Sequence, residues 1–290
     1  MAAMTGVAVT AAFGAAARAV ATNKGTLDDP FAEPLVRAAG VDHFVRVIDD
    51  DRFGADDAEG PWFLDVCAAH TRFVDEFVAD AGRAGLRQVV ILASGLDTRP
   101  YRLWWPPGTT VYEIDRPEVL DFKSEALRAL GAELTASRRA VGVALHQDWP
   151  AALRRVGFDA TAPAVWIAEQ LLIGYLTPAV QDRVLQGVTA MSATGSRFAA
   201  DHMPIWTPLQ LEAERSFVDG LRQNGVDVDL ASLTHPGQYH YVPEYLTAHG
   251  WETLQRNVTE LLGAVGRPVR RRHRPGDTEF VPEYLTATRA

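Results

Sequence analysis

Four residues of this chain have the types and the spacing to hold a nucleoside: Gly95, Asp97, Asp115 and Glu169. Val89 to Leu92 is an unbroken aliphatic run, as expected of a strand buried on both faces of a parallel sheet. Ala93, Ser94 and Gly95 then strip away side-chain bulk where the chain leaves that strand, so a ligand can come against the backbone. Asp115 follows Gly95 by twenty positions, at the tip of a second strand over 110–114, where a carboxylate can accept both hydroxyls of a ribose. A small-residue turn and a solvated acid are each common alone. It is their combination at this spacing that marks a nucleotide site.

What is missing narrows the nucleotide. A dinucleotide needs G-x-G-x-x-G so that a helix N-terminus can hold its pyrophosphate, but only Gly95 is present here, with an acid, Asp97, close behind. That acid would repel pyrophosphate and would suit an ammonium group. The pattern favours a nucleoside that carries an amino acid, S-adenosylmethionine. No G-x-x-x-x-G-K-[ST] loop occurs anywhere in the chain, which argues against ATP and GTP chemistry. Nor is there a Cys/His cluster at zinc spacing or an acidic calcium loop, so no metal is expected.

The elements that must position these residues follow from periodicity. Helical spacing with acidic loops fills residues 1–86 and predicts a helical cap. From Gln88 the pattern alternates strands with helical segments: strands over 88–93, 110–114, 140–145, 164–169 and 196–201, which implies a doubly wound, parallel α/β sheet. Residues 205–250 turn helical and aromatic again and form a candidate lid, with closing strands over 252–258 and 279–285. The heptapeptide VPEYLTA occurs twice, at 242–248 with a proline at a helix start and at 281–287 where the final strand is expected. If so, tertiary context overrides local preference.

Composition bounds the rest. The chain has 290 residues, 47% of them hydrophobic, enough for a substantial core. A formal charge of −9 argues against nucleic acid as a partner. The basic run Arg270 to Arg274 lies among Pro268, Pro275 and Gly276 and reads as a solvated loop. The single cysteine, Cys67, excludes an internal disulfide and fits a reducing, cytoplasmic setting. The Ala-rich start lacks a basic n-region and is interrupted by Arg18, so it reads as a helix. No membrane span is expected. Nothing in the sequence signals an oligomeric state.

ASGLDTRPYRL, VYEIDRPEVLDFK, QDWPAAL and WIAEQLLIGYL closely resemble the bacterial branch of the leucine carboxyl methyltransferase family of S-adenosylmethionine-dependent enzymes. The resemblance runs from TAAFGAAARAVATNKGTLDDPFAEPLVRAAG to about Arg197 and thins toward the HGW around Trp251. It implies a class I methyltransferase: a Rossmann-like, mostly parallel sheet in a single domain, with a cap over 1–86, a cofactor core over 87–201, a lid insertion over 202–250 and closing strands over 251–290. By resemblance, Ala93, Ser94 and Gly95 pass beside the methionine part of the cofactor, Asp97 supports that turn, Asp115 binds the ribose, and Glu169 stands near the amino end. For Glu169 a satisfied buried carboxylate is the alternative.

Three departures from the family pattern stand out. Its Asp-Leu pair after the third strand is Ala144-Leu145 here, which removes an acceptor for the adenine amino group, worth about 0.5–1.5 kcal/mol. The arginine expected to meet the cofactor carboxylate falls on His70; Arg72 is the candidate substitute, although alternate helix residues do not share a face. EGLLMYL becomes EQLLIGYL, placing Gln170 where glycine is usual and inserting Gly174 before Tyr175.

Together these readings predict methyl transfer to an oxygen of a small molecule or peptide, a carboxylate or a hydroxyl, with secondary metabolism as a setting. A carboxylate needs no base, whereas a hydroxyl must lose a proton. For that role His202 is the first candidate, with Tyr175 lining the pocket; a polar core histidine is the equal alternative. Tyr239, Tyr241, His235 and His240, with Trp206 and Phe217, fall in the candidate lid. The rival readings are a repurposed member that catalyses a cyclisation or rearrangement, and a nonenzymatic scaffold.

Overall fold

The computed structural model of the chain describes residues 7–51, 60–203, 215, 218–226, 235, 237–266 and 282–290. Trp206, Phe217 and the Arg270 to Arg274 run lie outside the described residues. The chain falls into two compact units, one of residues 1–73, 205–233 and 257–281, the other of residues 74–204, 234–256 and 282–290.

In the first unit, α1 (Val7–Asn23), α2 (Ala32–Ala39) and α3 (Asp42–Asp49) pack on small side chains. Ala12, Ala15, Ala16 and Ala19 are all buried along α1, so its neighbours can approach closely. The Ala-rich start is therefore a core helix. Arg18 pairs with buried Asp29 at 2.9 Å and fixes the chain between α1 and α2.

The second unit holds a seven-stranded sheet of order β3-β2-β1-β4-β5-β7-β6. Its strands are β1 (Gln88–Leu92), β2 (Thr110–Asp115), β3 (Ser137–Gly142), β4 (Ala164–Leu172), β5 (Arg197–His202), β6 (Trp251–Arg256) and β7 (Glu283–Arg289). The first five run parallel, and β7 inserts antiparallel between β5 and β6. Before β1 comes α4 (Gly60–Arg83, whose last turns belong here), and between the strands come α5 (Arg99–Arg102), α6 (Pro117–Ala129), α7 (Trp149–Arg155), α8 (Pro178–Ala190) and α9 (Val242–Ala248). After β6, α10 (Val258–Ala264) returns to the first unit.

Two strand boundaries differ from the sequence reading. The third strand was expected over 140–145 but runs Ser137–Gly142, so Ala144 and Leu145 sit in the loop beyond it. β3 is an edge strand with mostly exposed residues, so its polar start, SRRA, carries no core signal, and the apolar VGVAL drew the assignment three residues on. The expected 252–258 strand ends at Arg256 because Asn257 and Glu260 form a reciprocal capping box that starts α10. The last strand begins at Glu283 rather than 279 and continues to Arg289.

VPEYLTA takes both predicted forms. At 242–248 it is helix α9, with Pro243 in the first turn, where a missing N–H costs nothing. From Glu283 the same residues form β7, whose backbone is hydrogen-bonded on both sides, to β5 and β6, and whose Tyr284 is fully buried. Two-sided pairing decides the second copy.

The core on one face of the sheet is aromatic. Trp149 of α7 meets Trp166 of β4 edge-on with centroids 6.0 Å apart, and Phe158 meets Trp166 at 5.4 Å. Helix α8 crosses the Trp149 ring at Gly187. A Cβ built there would stand 2.9 Å from Trp149 Cη2 and closer still to Cζ2. Gly187→Ala is accordingly expected to destabilise the fold by about 1–3 kcal/mol through overpacking, read as a lower midpoint in urea unfolding. An unchanged midpoint would mean that α8 does not lie on Trp149 in this way.

Candidate functional site

The parallel strands bring their carboxyl ends to one edge of the sheet, and the order reverses between β1 and β4, the topological switch where open α/β sheets bind ligands. The turn after β1 is unusually shaped. Ala93 and Gly95 both adopt left-handed backbone, φ 49° and 46°. For alanine this is strained, and such residues persist where surrounding contacts enforce them. Ser94 N–H donates to Ile114 O at 3.1 Å and Asp97 N–H to Ser94 O at 2.8 Å, tying the turn to β2 and closing it on itself.

Asp115, at the tip of β2, does more than the sequence reading assigned to it. Its Oδ2 accepts the Gly95 N–H and its Oδ1 the Arg116 N–H, each at 2.7 Å. Burial pushes the Asp115 carboxyl above the ordinary range, and those two donors pull it back. The carboxylate is thereby fixed in orientation, with a lone pair left on each oxygen. Two such acceptors on a rigid strand tip suit a ribose diol.

Asp97 and Glu169, separated by 72 positions, are joined by a residue given no role in the sequence reading. Arg99 Nη1 donates to Asp97 Oδ2 and, at 2.6 Å, to Glu169 Oε2. Arg99 Nε bonds Asp75 Oδ1 at 2.7 Å, and Arg102 grips the same Asp75 through both terminal nitrogens at 2.7 and 2.8 Å. Burial alone would lower the Arg99 pKa; the charges of Asp97, Glu169 and Asp75 outweigh it and hold the guanidinium firmly ionised. Among the described residues, Asp97, Glu169 and Asp75 are thus drawn together by two guanidiniums. The signal for Arg99 and Arg102 was present in DTRPYR, since two arginines three residues apart share a helix face.

Glu169 is presented by a distortion. The β4–β5 register shifts between Ala168 and Leu172, and Gln170 adopts left-handed backbone, φ 52°. Its N–H donates to buried Asp201 Oδ1 at 2.6 Å, which holds that conformation. A bulge of this kind re-aims the neighbouring side chains. At the third position of the edge, Ala144 offers no side-chain acceptor. Gln147 instead folds back, its Oε1 accepting the Ala144 N–H at 3.2 Å, and Leu145 is buried.

The remaining candidates are dispersed. His70 is buried and Arg72 exposed, on different faces of α4, both within the first unit. Tyr175 is half-buried in the loop after β4. That loop is tied down by the Tyr239 hydroxyl, which donates to Leu176 O at 2.7 Å, and by His235 N–H on Gly174 O at 2.9 Å. His240 contacts Asp182 at 2.8 Å. These residues fasten the segment as structural ties. His202, fully buried at the end of β5, lies edge-on to Tyr241 with centroids 5.4 Å apart and has Nε2 3.9 Å from Glu283 Oε2. The Tyr241 hydroxyl lies 3.0 Å from the same carboxylate oxygen and 2.6 Å from Gln255 Oε1. Burial, only partly offset by the Met203 backbone, lowers His202 to about 4, so it is neutral at pH 7. Among the described residues no helix is long and apolar enough to cross a membrane.

This strand order, with its antiparallel seventh strand, a small-residue turn after β1 and an acid at the tip of β2, is that of a class I methyltransferase fold. The sequence profile of leucine carboxyl methyltransferase matches residues 8–189. The chain belongs to that family. A protein of Mycobacterium avium (strain 104), provisionally named an S-adenosyl-L-methionine-dependent methyltransferase, is 66% identical over 278 residues, covering 94% of each chain. A Mycobacterium marinum (strain ATCC BAA-535 / M) protein of the same name is 48% identical, covering 90% of this chain and 87% of its own. Among solved structures, the magnesium protoporphyrin IX methyltransferase of Synechocystis PCC 6803 with bound SAH aligns at TM-score 0.49 and 14% identity, over 87% of this chain and 94% of that one.

Two outcomes are expected. Arg99→Met takes the guanidinium from Asp97 and Glu169, while Asp75 keeps Arg102, and should cost about 3–5 kcal/mol, with cofactor affinity lost alongside, as chemical denaturation and titration would show. For His202, the unfolded imidazole takes a proton near pH 6.5 and the folded one only near pH 4, so stability should fall as pH drops through that window. His202→Gln should flatten that part of the thermal-midpoint curve; an unchanged slope would assign it to other groups.

Proposed function

We propose that this chain transfers the methyl group of S-adenosylmethionine to an oxygen of a small molecule or peptide, with a carboxylate as the acceptor favoured by its family and a hydroxyl as the second choice. The observation that carries the cofactor reading is the pair of fixed acidic elements flanking the strand switch: the oriented Asp115 carboxylate on one side and, on the other, Asp97 and Glu169 held together by Arg99. The cofactor supplies an electrophilic methyl on a sulfonium. Asp115 would bind its ribose hydroxyls, the backbone of Ala93 to Gly95 would border its methionine part, and the Asp97/Glu169 side of the cluster would face its ammonium.

What the protein must then supply is alignment and exclusion of water, because an in-line displacement at carbon turns on geometry. The acceptor oxygen forms its bond to the methyl carbon as the sulfur–methyl bond breaks, and the sulfonium charge disappears. A carboxylate acceptor enters this step already ionised, so no side chain has to remove a proton. A single cysteine and the net charge of −9 support a cytoplasmic enzyme that acts on small molecules or peptides rather than nucleic acid.

The test is calorimetric titration with S-adenosylmethionine and S-adenosylhomocysteine, using Asp115→Ala as control, followed by turnover of methyl-labelled cofactor with carboxylic acids and phenols. Micromolar binding lost in the control is expected, then a base-labile methyl ester as product. Acceptor consumed without S-adenosylhomocysteine would point to rearrangement chemistry instead, the reading motivated by Ala144, His70 and the changes at Gln170 and Gly174. For a carboxylate acceptor kcat should be flat between pH 6 and 8, since His202 titrates near pH 4. An acidic limb centred near pH 6.5 would reveal a histidine of ordinary pKa acting as base.

A further inference from the structure

Helix α6 buries a stripe of Val119, Leu120, Lys123, Ala126 and Leu127, helical spacing with one cation in the middle of an apolar face. Lys123 is fully buried. Its ammonium has three donors, and the structure gives it three acceptors: Glu113 Oε1 at 2.8 Å, Asp97 O at 3.2 Å and Ser94 Oγ at 3.4 Å. Glu113, also fully buried, receives Arg138 Nε on its other oxygen at 2.6 Å, and Arg138 Nη1 donates to Ser124 Oγ at 3.0 Å.

We infer that Lys123 is a positioning residue for the cofactor turn. Ser94 and Asp97 are the two ends of that turn, already joined by the Asp97 N–H on Ser94 O, and Lys123 grips both. Asp97 is thus held at its carboxylate by Arg99 and at its carbonyl by Lys123, while Asp115 holds the Gly95 N–H between them. The left-handed residues Ala93 and Gly95 lie next to these fixed points, and a strained turn keeps its shape only when it is held on several sides. Stability alone is a weak reason for such a group, because a buried ion pair can often be replaced by apolar residues without loss. What apolar residues cannot replace is a cation that directs the Asp97 carbonyl and the Ser94 hydroxyl. Lys123 touches the turn itself, so it acts on cofactor placement through the backbone.

This inference rests on the cofactor reading above, and its test separates the two. The double variant Glu113→Gln with Lys123→Met removes both charges while leaving Arg138 an acceptor; the single variant Lys123→Gln keeps a donor but no charge. Each is measured for thermal midpoint, for affinity toward S-adenosylmethionine and S-adenosylhomocysteine, and for amide hydrogen exchange at Gly95 and Asp97. The double variant should keep a midpoint within a few degrees of wild type, weaken both ligands at least tenfold by the same factor, and exchange faster at those two amides. Lys123→Gln should recover affinity to within about threefold, because a donor to Asp97 O is restored. A folded variant that binds both ligands as wild type does, with unchanged exchange, overturns the inference, as does a loss confined to the charged ligand. If the double variant does not fold, Lys123→Met alone, which leaves Glu113 paired with Arg138, takes its place, and wild-type affinity and exchange in that variant overturn the inference equally. Wild-type protein that binds neither ligand would defeat the cofactor reading, and the exchange comparison would still decide whether Lys123 holds the turn.

Discussion

One guanidinium joins the two strands on which the candidate site is built. Arg99 reaches from the turn after β1 to Glu169 on β4, across the point where the strand order reverses, and is braced from α4 by Asp75. Carboxylates placed this close in a buried setting would repel one another and raise each other's proton affinity. Arg99 removes that repulsion and holds Asp97 and Glu169 together. The geometry is also directional, since a planar fork of donors fixes the oxygens it binds in a way an ammonium would not. Everything on the crevice edge is placed relative to this bridge.

The second constraint is backbone strain on both sides of the bridge. In the sheet-bearing unit, the described non-glycine residues with left-handed backbone are Ala93 and Gln170, one beside the cofactor turn and the other beside Glu169. Conformations of this kind cost on the order of 1–3 kcal/mol each and need neighbours that enforce them. For Ala93 the enforcement comes from β2, through Ile114 O and Asp115; for Gln170 it comes from β5, through Asp201. Gln170 stands where the family pattern has glycine, so this chain keeps the bend while giving up the residue that adopts it most easily. The short bond to Asp201 is what makes that exchange tolerable.

The parts legible in the sequence were those whose causes are local. β1, β2, β4 and β5 are buried on both faces, so their apolar runs announced them; edge strand β3 is polar and was placed three residues late. The turn and Asp115 could be read because small residues and an acid at fixed spacing carry the signal along the chain. Arg99 was not, because its partners lie at positions 75 and 169 and only folding brings them together. The two copies of VPEYLTA show the same limit from the other direction: the residues EYLTA lie in a helix in the first copy and in a strand in the second, where pairing on both sides claims their backbone.

The departures at His70 and Ala144 look different once the charges are placed. The aspartate that the family pattern has at Ala144 would give adenine one charge-assisted hydrogen bond, so its loss is comparable to losing one of the bonds Asp115 can make. Under the proposed reading, the cofactor contacts that do not depend on it would be Asp115 toward hydroxyls and the Asp97/Glu169 side of the Arg99 cluster toward an ammonium. Hydrogen bonds to ionised groups are worth about 1.5–3 kcal/mol each, so a site that keeps these and loses the adenine contact still retains the larger share of its binding terms. Adenine recognition would then rest more on shape, through buried Leu145, than on polar readout. A methyltransferase site altered in this way would discriminate less between bases while holding the reacting end of the cofactor as firmly as before.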